Sequence, residues 1–482
     1  MRKKRRILLI VIFFIGISLR LASFSFNQDN LDMDDDEPWS RINLAMVWLE
    51  SGEGIVDLNF SPLYTYMVST LRFFDKKNFI LLTRLVSLVF GSLFIFLYFN
   101  SVEKIFNAKI AYLSAFFVAV YPLHIHLSTL SLPEVIACFF LFASLFFLHQ
   151  FLYVSDRWTN LIISALFLTY ACMLRFECWL FILIFSTWIF VKRKISKGLL
   201  IFLFLSLIFP SVWMFVNYRY TGNPVNFVFI SAEATKYFMS TEDLSLRDKI
   251  WGWPKVLYYT LGSPLFILCC MGFIVPLVFR KFRNVFYYSF AIFFSIYMVK
   301  SINNTYSFDI WRYSLPLGLF FIPFAGVIIY SSPAFFQRKK YFIMFICLLV
   351  FFACIKTSYV FSKGSQAPET LNKVVEWIKA NISDSNKRIL LEISPRYPLN
   401  HPYIVINSNL KSYQHLGFFS TGMEESDEKW DEFLCLLGDA NYILVNKEES
   451  FFSEIFSEEK EIIEKNVIKV FENEDWFICK LE

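Results

Sequence analysis

Charge is what this chain has least of. Asp, Glu, Lys and Arg together make up 18% of its 482 residues, against 56% apolar and 20% aromatic, with Phe alone contributing 60. A soluble domain carries about 25% charged residues, so this composition belongs in a bilayer. Almost nothing charged falls in the middle of an apolar run, which speaks against a transporter, whose ionisable groups sit near the bilayer midplane. No CxxC or Cys/His spacing suggests zinc. Cys138, Cys172, Cys178, Cys269, Cys270, Cys347 and Cys354 lie in or beside apolar runs and read as small buried hydrophobes. Only Cys435 and Cys479 fall in the polar tail, where they could pair if that tail is outside the cell. Fixed-period repeats and low-complexity tracts are absent too. The net charge of +5 does not point to nucleic acid, because the basic residues form short clusters between apolar runs.

Those runs are the dominant feature. Stretches long enough to cross about 30 Å of hydrocarbon appear at 7–24, 79–99, 108–124, 133–153, 160–174, 178–191, 199–216, 256–279, 284–300, 315–330 and 341–358. That makes about eleven spans. The start, MRKKRR and then Ile7 to Phe24, reads as an uncleaved signal anchor, since no small-residue cleavage site follows. With the N-terminus cytoplasmic, Lys104, Lys109, Arg157, Lys192–Lys194 with Lys197, Arg280–Lys281 with Arg283, and Arg338–Lys340 all fall on the cytoplasmic side. Loops at about 25–78 and 217–255, and everything after Tyr359, then face outward. The fold class expected is an α-helical polytopic membrane protein, residues 1–358, followed by a small extracytoplasmic α/β domain, residues 359–482. In that tail LNKVVEWIKANI reads as an amphipathic helix, RILLEI and NYILVN as buried strands, and VIKVFENEDWFICKL as a terminal hairpin around Asn473-Glu474-Asp475. It carries no phosphate-binding glycine loop and no nucleophile motif.

Charged residues at the outer face form a short roster. Asp32, Asp34, Asp35, Asp36 and Glu37 crowd into the first loop, Arg84 and Glu134 sit at span mouths, Arg175 and Glu177 share a turn, and Asp309 and Arg312 precede the tenth span. Five neighbouring carboxylates repel one another and raise at least one pKa. Such a group can act as a general base, a metal ligand or a cation site. Arginines grip phosphate oxygens in a bidentate fork. Together these groups suit transfer from a lipid-phosphate sugar: a carboxylate deprotonates the acceptor, and phosphate leaves without a second acid to protonate it. Each residue also has a plainer reading. The acidic run could be a solvated loop, the arginines interfacial side chains contacting headgroups, Glu134 a helix-start acid favoured by the dipole, and Arg175 and Glu177 a self-neutralising pair. His124 and His126, two positions apart, point to different helix faces and read as packing rather than ligands.

In their order along the chain these motifs resemble the GT-C superfamily of polyprenyl-phosphate-sugar-dependent glycosyltransferases, in the branch of protein O-mannosyltransferases and the lipid A aminoarabinose transferase. The matching segments are DDDEPW at 34–39, SPLY at 61–64, TRLVSLVFG at 83–91, YPLHIHLSTLSLPE at 121–134, LRFECW at 174–179 and WRYSLPLGLFFIP at 311–323. The resemblance implies that Asp36 is the catalytic base with Glu37 orienting substrate beside it. It implies that Glu134 shapes the acceptor side, with Asp35 and Glu177 as supporting acids, and that Arg84, Arg175 and Arg312 receive the donor phosphate. Ser61 stands where the family often has a basic residue. No metal or other cofactor is implied, although the extra acids offer oxygen ligands to a divalent cation. The partners implied are a polyprenyl-phosphate-linked sugar donor, a protein, lipid or glycan acceptor, and membrane lipids. The function expected is inverting sugar transfer to an acceptor hydroxyl outside the cytoplasm; the alternatives are a flippase of lipid-linked sugars or a glycan polymerase or ligase.

Overall fold

The computed structural model describes residues 2–26, 41–42, 45, 61–75, 78–227, 246–278, 285–301, 308–331, 340–363, 369–382, 387–393, 415–419, 440–447 and 467–481. The chain divides into two compact units, Met1–Asp29 with Leu58–Gly364, and Asn30–Asp57 with Ser365–Glu482.

The first unit is helical throughout its described residues. Its elements are α1 (Arg2–Phe26), α2 (Pro62–Phe74), α3 (Phe79–Ile105), α4 (Ala108–Val120), α5 (Pro122–Leu127), α6 (Glu134–Tyr153), α7 (Trp158–Leu174), α8 (Trp179–Arg193), α9 (Lys197–Thr221), α10 (Leu246–Leu261), α11 (Ser263–Val278), α12 (Val285–Ser301), α13 (Phe308–Tyr313), α14 (Leu315–Ser331) and α15 (Lys340–Lys363). Among the described residues, four helices are long and apolar enough to cross a membrane: 6–25, Phe79–Ile105, Glu134–Tyr153 and Lys197–Thr221. Shorter apolar helices pack around them, as in a multi-pass membrane protein.

Helices lie over the runs read from hydropathy, with two differences. The run at 256–279 is broken at Gly262, whose φ of +78° is the left-handed conformation that ends α10 and that glycine adopts without strain. Pro264 then sits in the first turn of α11, where its missing N–H costs nothing. The run at 108–124 stops at Val120, because Pro122 cannot supply the N–H that Val118 would accept.

Arg20 adds donors at that second break, where the Val118 carbonyl also accepts from the Tyr121 N–H at 3.3 Å. The Arg20 side chain is wholly buried in α1 and donates to the carbonyls of Ala119 at 3.2 Å and Val118 at 3.5 Å, and to Gly16 at 2.8 Å in its own helix. Its Nη2 also lies 2.7 Å from His124 Nδ1, and the His124 ring stacks on Phe94. A buried carbonyl left without a donor costs about 1–3 kcal/mol. We expect Arg20→Leu to lower stability in detergent by about that much per carbonyl lost. A melting temperature unchanged by the substitution would remove Arg20 from this role.

Other helix irregularities are met in the same way. Pro323 in α14 leaves the carbonyl of Leu319 without its helical donor, and two tyrosines from neighbouring helices supply it, Tyr98 at 2.5 Å and Tyr287 at 3.5 Å. Close backbone approach fixes α11 on α14: a Cβ added to Gly272 would sit 1.8 Å from the Phe324 carbonyl oxygen. Much of the core is phenylalanine. Phe320 stacks on Phe142, Phe181 and Phe290 with centroids 5.0–5.6 Å apart, burial that needs no polar partner.

Basic side chains gather at one end of the bundle. Arg193 at the end of α8 pairs with Asp156, which lies between α6 and α7, at 2.9 Å. Lys192 lies over Tyr153 at the end of α6, and Lys109 at the start of α4 over Tyr330 at the end of α14. The starts of α6 and α14 and the end of α7 are therefore at the other end.

Among its described residues the second unit contains a helix, α16 (Glu369–Asn381), and five strands: β1 (Ile389–Ile393), β2 (His415–Phe419), β3 (Tyr442–Asn446), β4 (Val467–Glu472) and β5 (Trp476–Leu481). The sheet order is β2-β1-β3-β5-β4, with β1 parallel to β2 and β3 and with β5 antiparallel to β3 and β4. The helix, two of the strands and the hairpin match the reading from sequence; β2 does not appear in it. At the hairpin the Asn473 side-chain oxygen accepts from the N–H groups of Asp475 and Trp476 at 3.0 and 2.8 Å, a turn that asparagine forms readily. Trp377 of α16 packs on Tyr442 and Phe471. Cys479 is a buried free thiol, and burial pushes its pKa up to about 11. Cys435, its candidate partner from the sequence, lies outside the described residues.

Candidate active site

A buried charge cluster forms at the bundle end opposite the basic side chains. Glu134 is the first residue of α6, launched by Pro133. Arg175 caps α7 in an extended conformation, φ −148° and ψ 129°, and the single 3-10 turn Phe176–Cys178 leads from it into α8. Arg312 comes from α13, immediately before α14. Three segments far apart in sequence thus deliver their charged side chains to one point.

One oxygen is at its centre. Glu134 Oε1 accepts from Arg175 Nη1 at 2.9 Å and from Arg312 Nη1 at 3.1 Å. The other edge of the Arg175 guanidinium forks onto Glu177, Nη2 to Oε1 at 2.9 Å and Nε to Oε2 at 3.2 Å. The side chains of Arg312 and Glu134 are 1% and 4% exposed, whereas Glu177 is 22% exposed. Charges buried this deeply must be paired to be tolerated. The ring of Tyr313 lies beneath both guanidinium groups, 4.7 Å from Arg175 and 5.6 Å from Arg312, a cation–π arrangement strengthened by exclusion of water. These residues line a small cleft, whose apolar wall includes Leu141, Phe181 and Phe294.

The connector that carries Glu134 is fixed from α3. Arg84 Nε donates to the Thr129 carbonyl at 2.8 Å, Thr83 Oγ1 lies 2.6 Å from Ser131 Oγ, and Ser87 donates to the Leu132 carbonyl at 3.4 Å. Arg84 also donates to the Phe24 carbonyl at 3.2 Å and lies 4.3 Å over the Phe24 ring. It is not among the cleft's lining residues.

The structure therefore brings together Glu134, Arg175, Glu177 and Arg312 and places Arg84 apart, as a brace for main-chain carbonyls. Asp35, Asp36 and Glu37 lie outside the described residues, with Asp32 and Asp34. His124 is occupied by Arg20, and among the described residues no three His, Cys, Asp or Glu side chains gather as a metal site. Two residues escaped the sequence reading. Tyr313 directly follows the flagged Arg312, and only its adjacency to that arginine could have singled it out. Arg20 carried a clearer signal, an arginine inside an apolar span, which calls for a buried partner.

Comparison with known proteins agrees with this architecture. Residues 62–216 match the family model described as dolichyl-phosphate-mannose-protein mannosyltransferase. Among solved structures, ArnT from Cupriavidus metallidurans bound to undecaprenyl phosphate aligns with a TM-score of 0.66 at 10% identity, over 98% of this chain and 97% of that one. The chain has the GT-C fold. Archaeal oligosaccharyltransferase AglB from Archaeoglobus fulgidus, in complex with an inhibitory peptide and a dolichol-phosphate, aligns with a TM-score of 0.59 at 11% identity, over 93% of this chain and 70% of that one. No curated protein matches by sequence. The GT-C resemblance read from the motifs thus holds, and within this fold the cleft is built from three of those motif segments, at 121–134, 174–179 and 311–323.

Proposed function

We propose that this chain is a membrane glycosyltransferase that moves a sugar, with inversion, from a polyprenyl-phosphate donor to an acceptor hydroxyl on the extracytoplasmic side. The observation that carries the reading is the convergence of Arg175 and Arg312 on one buried cleft above Tyr313. Guanidinium forks match phosphate oxygens. Held there, the departing phosphate has its charge stabilised by fixed donors, the largest contribution in most such reactions.

Asp36 supplies the base that removes the acceptor proton, and Glu37 orients the substrate, with Asp35 as a further acid beside them. Glu134 and Glu177 hold the arginines in register. Arg84 acts on the donor indirectly, by fixing the connector before Glu134. The N-terminus is cytoplasmic and the C-terminal α/β domain, residues 359–482, is extracytoplasmic; the grouping of basic side chains opposite the cleft supports this orientation. Protein, lipid or glycan can serve as acceptor. The solved relatives support the donor class, since ArnT was determined with undecaprenyl phosphate and AglB with a dolichol-phosphate.

The test is transfer in proteoliposomes containing the full chain and a labelled monosaccharide linked to polyprenyl phosphate. Label should move to an added acceptor and free polyprenyl phosphate should accumulate, with no transfer from a nucleotide sugar. Movement of labelled lipid between leaflets without any transfer would instead favour a flippase.

A further inference from the structure

The cleft already holds an anion of its own. Two guanidinium groups face two carboxylates, and all three donor-bearing nitrogens of Arg175 are engaged, Nη1 by Glu134 and Nη2 and Nε by Glu177. Among the described residues Glu134 Oε1 bridges Arg175 and Arg312, a position from which a phosphate oxygen would be held by both. We propose that Glu134 is a resident competitor for the donor phosphate, set there to expel the product. The inference rests on the donor-phosphate reading above.

The chemistry of the two lipids explains why a competitor is useful. A sugar linked to polyprenyl phosphate is a phosphodiester with a single negative charge. Transfer breaks the bond between the anomeric carbon and the phosphate oxygen, and that oxygen keeps the electron pair. The product is a monoester with a charge of about −1.5 to −2 at neutral pH. Two buried arginines with no counter-charge would hold the product more tightly than the donor and stall the enzyme after one turnover. Glu134 offsets one positive charge whenever it returns to the bridge, so the product leaves. Its side chain can swing off the bridge and return while its backbone stays in place, because Pro133 and the bonds from Thr83, Arg84 and Ser87 fix the connector from which it projects. Glu177, more exposed and on the outer edge of Arg175, leaves the bridging position to Glu134.

Binding of undecaprenyl phosphate to the full chain in detergent, measured for wild type, Glu134→Gln and Arg312→Gln, tests this. Glutamine keeps a hydrogen-bond acceptor but removes the charge. Glu134→Gln should bind undecaprenyl phosphate about tenfold more tightly or better, and the lipid should dissociate from it correspondingly more slowly. Equal or weaker binding by a folded Glu134→Gln overturns the proposal. If that variant does not fold, Glu134→Asp decides: its shorter reach weakens the bridge, so tighter binding than wild type supports the idea and unchanged binding refutes it. Should wild type and Arg312→Gln bind this lipid equally, the donor-phosphate reading itself fails, a different outcome from loss of the competitor alone.

Discussion

Asp36→Asn is expected to slow sugar transfer by about 10²- to 10⁴-fold, the range lost when a general base is removed. The amide matches the carboxylate in shape but cannot accept the acceptor's proton. Donor binding should be kept if, as proposed, the phosphate is held by arginines on other segments, and the protein should insert in the membrane as before. Steady-state transfer measured beside undecaprenyl phosphate binding separates these effects. The neighbouring acids give the control: Asp35→Asn and Glu37→Gln should cost less than Asp36→Asn. Transfer by Asp36→Asn at the wild-type rate would transfer the base's role to another residue of the cluster.

Arg312→Gln should have the next largest effect. Removing one fixed donor to a developing charge costs about 10²- to 10³-fold in turnover, and Arg312, with its side chain 1% exposed, has little water to replace it. Arg312→Lys should not restore activity, since an ammonium is a point charge with no planar fork. Both substitutions also disturb a buried ion pair, and leaving Glu134 with one guanidinium fewer is destabilising by about 3–5 kcal/mol when the lost partner is not replaced. Lys at position 312 keeps the charge, so it should recover stability while transfer remains low. Recovery of both together would reduce Arg312 to a structural partner of Glu134.

Sequence and structure agree where hydropathy and charge act on long stretches. Apolar runs mark the helices because a bilayer leaves a chain no other way to satisfy its backbone, and the four members of the cluster could be found because charges are scarce at the membrane's edge. At Arg84 that scarcity does not tell one kind of partner from another. A guanidinium at a span mouth serves a phosphate or a run of bare carbonyls equally well, and only coordinates show that Arg84 takes Thr129 and Phe24. Arg20 was hidden for a related reason, since its partners are main-chain carbonyls at the helix break before Pro122, about a hundred residues away. The break at Gly262 was legible in the Gly-Ser-Pro run at 262–264, yet hydropathy averages over such a break. Strand β2 is five residues, HLGFF, too short for alternation to stand out, and it is specified by pairing along β1. Tyr313 was lost among 24 tyrosines and 60 phenylalanines, where one more aromatic ring carries no signal.

Arg175 and Arg312 together are proposed to bind the phosphate of a polyprenyl lipid. Equilibrium binding of undecaprenyl phosphate to the wild-type chain and to the folded Arg175→Gln/Arg312→Gln double variant tests it most directly. Saturable binding by the wild type, weakened about 100-fold or more in the double variant, is the result expected. Equal affinity in the two proteins would contradict it.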